Sequence, residues 1–208
     1  MLGVVGSVPE GISGSLYRIG PNPKFVEGTY HWFFGAGMVH AFHIDNGRVD
    51  YRNRWVRTPK LEQEIALSHG LNLDININKD TGQLESNRRN GVANTHILTH
   101  GDHLIALEEG SHPFSMDPQS LASKGYGHYG DGINGAMTAH PKIDPETGEL
   151  HGFGYMTDHF GSKTMTYHVI DRSGRPLRSD VFEAPYAAMI HDFVMTRDYV
   201  LFPIFPLT

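Results

Sequence analysis

The chain has 208 residues, 39% of them hydrophobic and 19% charged, proportions that fit one globular domain and exclude a disordered chain. A formal charge of -6 without any run of Lys or Arg gives no footing for a polyanion, so nucleic-acid binding is not expected. Zero cysteines exclude disulfides, thiolate metal sites and cysteine nucleophiles together, and no apolar run approaches the roughly 18 residues of a membrane span.

The cysteine-free composition fits a reducing compartment, and Met1 to Gly14 lacks the basic start and apolar middle of a signal peptide; a cytoplasmic location is the expectation. Two counts stand out, 24 Gly and 14 His. Glycine at this level implies many tight turns between short strands, and histidine supplies the imidazoles that a metal site without cysteine uses.

In chain order, Gly11 to Pro23 reads as loop, a brief strand at Ser15 to Ile19 and a Gly-Pro-Asn-Pro turn. Met38 to Ile44 alternates as a strand, Asp45-Asn46-Gly47 is a hairpin signal, and Arg48 to Arg57 returns from it. Leu61 to His69 suits two helical turns, whereas the polar run Asn76 to Asn90 shows neither period and is expected to be loop, of a length often used as a lid or binding element. Strands resume at Ala93 to Thr99 and His103 to Leu107 around a His100-Gly101-Asp102 turn. They continue at Leu150 to Thr157, Lys163 to Asp171, Ser179 to Glu183, Ile190 to Thr196 and Tyr199 to Phe205. Short strands at steady spacing predict an all-β sandwich, barrel or propeller.

Several motifs carry no chemistry. Gly125 to Gly130 matches GxGxxG in form, but no strand precedes it and DGINGAMTAHP cannot begin a helix, so a dinucleotide site is rejected. There is no GxSxG elbow, no HExxH pair and no Walker loop. His100 and His103 flank a tight turn and read as solvated, while His40 reads as a partly buried, hydrogen-bonded side chain.

Two histidines differ. The stretch Gly125 to Asp144 delivers His140 at the end of a short strand, Met137 to His140, that Pro141 terminates because proline lacks the ladder donor. His191 lies in Ala188 to Phe193, a second short strand on which it shares a face with Met189 and Phe193, so its imidazole is expected in apolar surroundings and in need of a partner. The Glu108-Glu109 pair supplies a carboxylate, and a solvated turn role fits Glu108 better than Glu109. A ligating histidine commonly passes its second ring N–H to such a carboxylate.

In order along the chain, GSLYRIGPNPKF, HWFFGAGMVHAF, NGVANTHI, LIALEEGSHPFSMDPQSL, MTAHPKIDPETGEL and MIHDFVMTRDYVLFP resemble the carotenoid cleavage oxygenase family, which also includes stilbene-cleaving dioxygenases. The resemblance implies a seven-bladed β-propeller with a ferrous ion, Fe(2+), on its axis, held by four histidines with glutamates behind them. By motif, His140 and His191 match the first two ligands, and Glu109 matches the glutamate that orients the second. The implied reaction joins dioxygen to a small apolar conjugated alkene and releases two carbonyl products. Phe33, Phe34 and Tyr126 are candidates for the substrate tunnel, and a lipophilic substrate implies peripheral contact with a membrane.

At about 40–50 residues per blade, 208 residues make roughly four blades, so the chain is expected to be a single partial propeller domain over 1–208, an N-terminal part lacking the later ligands. Stilbene-cleaving relatives carry a lysine immediately before the orienting glutamate, where this sequence has Glu108. That departure favours a carotenoid or apocarotenoid over a stilbene. Two rival readings are a metal-free propeller segment acting as a binding scaffold, and a zinc hydrolase. The second is the weaker, because no glutamate stands at helical spacing from either histidine.

Overall fold

The computed structural model describes residues 3–26, 31–71, 75–77, 80, 84–86 and 90–205. The first sheet is a meander of β1 (Gly14–Pro21), β2 (Gly37–Asp45) and β3 (Arg48–Trp55). Asp45 pairs with Arg48, and Asn46 and Gly47 both take positive φ (46° and 73°), the two-residue turn that the Asp-Asn-Gly signal predicts.

Helix α1 (Pro59–Leu67) follows, with the Thr58 side chain capping Leu61 N–H, Pro59 in the first turn and Ser68 ending it in the left-handed region. The expected loop beyond it is not wholly loop. Among the described residues, β4 (Ile75–Ile77) and β5 (Leu84–Ser86) pair as a hairpin whose three-residue strands are too short to display a period.

The second sheet is a four-stranded meander of β6 (His96–His100), β7 (His103–Leu107), β8 (Phe114–Met116) and β9 (Ser123–Tyr126). The third repeats that order with β10 (Lys142–Ile143), β11 (Leu150–Tyr155), β12 (Thr164–Ile170) and β13 (Pro176–Glu183). A last hairpin pairs β14 (Val194–Met195) with β15 (Val200–Leu201).

Each sheet packs on the next. Val39 and Ala41 of β2 meet Leu104 and Ala106 of β7, while Ile105 and Leu107, on the opposite face of β7, meet Met137, Ala139, Leu150 and Ile170. Phe153 and Met165 then turn toward Ile190, Phe193 and the last hairpin. Both faces of β7 are buried because its sheet is sandwiched between two others, and so its run of apolar residues does not alternate with polar ones. Among the described residues, three successive antiparallel meanders and the β14–β15 hairpin stack face to face as an incomplete β-propeller, with the β4–β5 hairpin as a separate two-stranded sheet.

Candidate metal centre

The segment that carries His140 is not a strand. Met137 N–H donates to the Ser111 carbonyl at 3.2 Å and Thr138 N–H to the Phe153 carbonyl at 2.7 Å, so its bonds are divided between two sheets and no ladder forms. Close approach fixes it. A Cβ on Gly154 would stand 2.2 Å from the Ala136 carbonyl oxygen, and one on Gly152 would stand 3.0 Å from Met137 Cγ. The two glycines of β11 thus let Ala136 to Ala139 lie directly on the strand, burying Met137, Thr138 and Ala139 completely and leaving His140 at the rim.

His191 also departs from expectation. Ala188 to Phe193 is irregular, with Ile190 and Phe193 at 1% and 2% exposure anchoring it in the core. Met189 is 62% exposed and the His191 side chain 61% exposed, so the three do not share an apolar face. Without strand alternation there is no face for them to share.

The two imidazoles nevertheless meet. His140 Nε2 and His191 Nε2 are 3.1 Å apart, with ring centroids separated by 4.6 Å and planes at 72°. Glu109 Oε1 accepts from His191 Nδ1, and the Tyr155 hydroxyl donates to Glu109 Oε2 at 2.7 Å. With its Nδ1 proton on Glu109, His191 presents a lone pair at Nε2, and His140 Nε2 faces it. Partial burial, with His191 beside it, lowers the His140 pKa, an effect that Asp192 opposes; the ring is thereby kept in the neutral form that a metal requires.

At 3.1 Å the two nitrogens can share one proton as a hydrogen bond, or, with His140 in its other tautomer, both can turn a lone pair toward a cation. Metal–nitrogen bonds of about 2.0–2.1 Å put neighbouring ligand nitrogens about 3 Å apart, so the pair fits a divalent metal edge. Among the described residues no set of three histidine or acidic side chains converges closely enough to hold a metal ion; two imidazoles meet, with Glu109 and Tyr155 behind one of them.

Sequence reasoning missed two members of this site. His96, the first residue of β6, lies 5.8 Å from the His140 ring, and burial lowers its pKa, with His140 and Lys142 adding to the effect. Tyr155 had a visible signal, since Phe153 and Tyr155 alternate with two glycines along β11, but the orientation of its hydroxyl depends on the neighbouring sheet.

The acidic pair is also assigned differently. Glu108 is not solvated: it is 9% exposed and its Oε2 accepts from Val92 N–H at 3.0 Å, while burial raises its pKa against the pull of the Val92 and Ala93 N–H groups. It points to the face of β7 away from Glu109. Tyr126 lies on that same far side, its hydroxyl accepting from Gly91 N–H at 3.2 Å and its ring against Phe114 at 4.9 Å, and it lines a cavity of about 680 Å³ with Arg54, Trp55 and Lys124. Trp32 to Phe34 form a 3₁₀ turn held by Asn94, whose Nδ2 donates to the Phe33 and Gly35 carbonyls at 2.8 and 2.7 Å. Phe33 is 54% exposed and Phe34 half-buried.

A propeller sheet order with two converging imidazoles and a carboxylate on one of them defines a partial β-propeller with a histidine pair at its rim. The chain belongs to the carotenoid cleavage oxygenase family: the family described as retinal pigment epithelial membrane protein matches residues 1–208. It is 38% identical to isoeugenol monooxygenase of Pseudomonas putida over 100% of this chain and 44% of that protein. With resveratrol cleavage oxygenase 1 of Aspergillus fumigatus it shares 40% identity over 99% of this chain and 41% of that protein.

Among solved structures, Pseudomonas brassicacearum lignostilbene dioxygenase superposes with a TM-score of 0.87 at 36% identity, covering 98% of this chain and 43% of that one. Cobalt-substituted Synechocystis apocarotenoid oxygenase gives 0.79 at 31% identity, covering 95% and 44%. The chain therefore spans less than half the length of these relatives.

Proposed function

We propose that the chain supplies half of the metal centre of an iron(II)-dependent oxygenase that cleaves a conjugated carbon–carbon double bond into two carbonyl products. The observation that carries this reading is the 3.1 Å approach of His140 Nε2 to His191 Nε2 with Glu109 on the far nitrogen of His191. When bound, ferrous ion supplies the one-electron chemistry by which dioxygen reacts with an alkene. His140 and His191 would hold it, with Glu109 fixing the His191 tautomer and Tyr155 fixing Glu109. Both oxygen atoms of dioxygen end in the two carbonyls, so no further reductant is needed.

For substrate, an aryl alkene of the phenylpropenoid or stilbene kind is favoured over a carotenoid. Glu108, which stands where stilbene-cleaving relatives carry lysine, is turned away beneath Val92 and so meets no substrate beside the histidines. Isoeugenol and resveratrol in the names of two relatives support the same preference.

The test is anaerobic reconstitution of the protein with Fe(II) or Zn(II), followed by oxygen uptake on isoeugenol, resveratrol and an apocarotenal. Uptake with Fe(II) on the aryl alkenes supports the proposal. Stoichiometric iron in the purified protein refutes the scaffold, and hydrolysis dependent on Zn(II) favours the hydrolase.

A further inference from the structure

The two histidine-bearing segments come from separate parts of the chain, and no strand ladder joins them. His140 precedes β10 in the third sheet, and His191 precedes β14 in the last hairpin. Besides the packing of Ile190 and Phe193 on Phe153 and Met165, an ion pair crosses the gap beside the two imidazoles. Lys142 Nζ donates to Asp192 Oδ1 at 2.7 Å, from a residue two positions after His140 to the residue immediately after His191.

Both ends of this pair are anchored. Lys142 opens β10 opposite His151, and its ammonium lies 5.5 Å from the centre of the Phe193 ring. Asp192 Oδ1 also accepts from Phe193 N–H at 2.8 Å, so the carboxylate is held against its own backbone. Phe193 in turn is 2% exposed and meets Phe153 of β11 edge to face at 5.2 Å. A displacement of either histidine segment therefore has to break a charged hydrogen bond seated on a core aromatic.

We infer that Lys142 and Asp192 form a positioning clamp that sets the separation of the His140 and His191 imidazoles, and so a requirement of the metal centre that lies outside its ligands. This rests on the metal reading above for its purpose, not for its geometry. The Lys142 and Asp192 side chains are 35% and 50% exposed, and pairs so open to water add little to global stability. The clamp is accordingly expected to show in the placement of the rings and not in unfolding.

The experiment uses the metal-free chain with labelled histidines. In the unmodified protein an NOE cross-peak between the His140 and His191 rings is expected. Lys142→Met and Asp192→Asn should each lose it while the amide resonances of β11 and β12 stay in place, and the charge exchange Lys142→Asp with Asp192→Lys should bring it back. A parallel Co(II) titration should weaken by about 10-fold in each single variant and recover in the exchange.

A cross-peak of unchanged intensity in both single variants overturns the clamp, as does its absence from the unmodified chain. If the single variants fail to fold, the charge exchange decides by whether the cross-peak is present. Should the unmodified chain show a clamp-dependent cross-peak and no Co(II) binding, the clamp stands and the metal reading falls.

Discussion

Tyr155 donates to Glu109 Oε2 at 2.7 Å, so the carboxylate that receives His191 Nδ1 is itself held from a different sheet. Glu109 leaves the second sheet just after β7 and Tyr155 closes β11 in the third. The tautomer of one imidazole thus depends on how two neighbouring sheets meet.

Removing the charge of that carboxylate tests the chain of contacts. Glu109→Gln still reaches His191 but accepts its proton without a formal charge, and metal affinity should fall by about 10–100-fold. Tyr155→Phe leaves Glu109 charged but less constrained, so a smaller loss in the same direction is expected. Co(II) titrations of both variants check the order; a Tyr155→Phe loss larger than that of Glu109→Gln would contradict it.

The histidines test the ligand assignment. In the complete enzyme, where further ligands join these two, His140→Ala or His191→Ala should each abolish measurable Fe(II) retention on desalting. Full occupancy in either variant would place the metal elsewhere.

Much of this was legible in the sequence, for reasons that can be named. The hairpin at Asn46-Gly47 was visible because two positive φ values in a two-residue turn demand those residue types. The pairing of His140 with His191 and Glu109 came from a family resemblance, since a separation of 51 residues leaves no local trace. Met137 to His140 and Ala188 to Phe193 are not strands because neither joins a ladder: the first buries three consecutive residues, and the second is anchored by Ala188, Ile190 and Phe193. His100, read as solvated, is 6% exposed, with Nε2 near the Gly148 carbonyl at 3.3 Å, because the third sheet covers the turn.

Acid should loosen the third sheet. His168 on β12 is fully buried, and burial pushes its pKa down to about 4, with His112 nearby adding to the effect and the Ala136 backbone opposing it. Its unfolded value is near the ordinary 6.5. Between those values the unfolded chain binds the extra proton, so stability rises with pH, is fully present above about 6.5 and is lost progressively as pH falls toward 4. The loss is on the order of 3 kcal/mol. Urea midpoints measured from pH 7 to 4.5 should fall steadily, and a flat profile would show that His168 protonates without cost.

Gly154 links stability to the metal centre. Its missing Cβ is the reason Ala136 can approach β11, since a methyl there would stand 2.2 Å from the Ala136 carbonyl oxygen and 2.7 Å from Thr157 Cγ2. Backbone on one side and a paired strand on the other leave little room to yield, so Gly154→Ala should destabilise by about 1–3 kcal/mol through overpacking. The segment that must move is the one leading to His140, bonded at Thr138 to the Phe153 carbonyl. Metal affinity should therefore fall in Gly154→Ala even under conditions where the protein is fully folded by circular dichroism. Gly125→Ala is the control, because its added methyl meets nothing within 4 Å and its positive φ of 107° charges only local strain. Stability loss in both variants with metal affinity reduced only in Gly154→Ala is the expected pattern, and equal affinity in the two would separate His140 placement from the packing of β11.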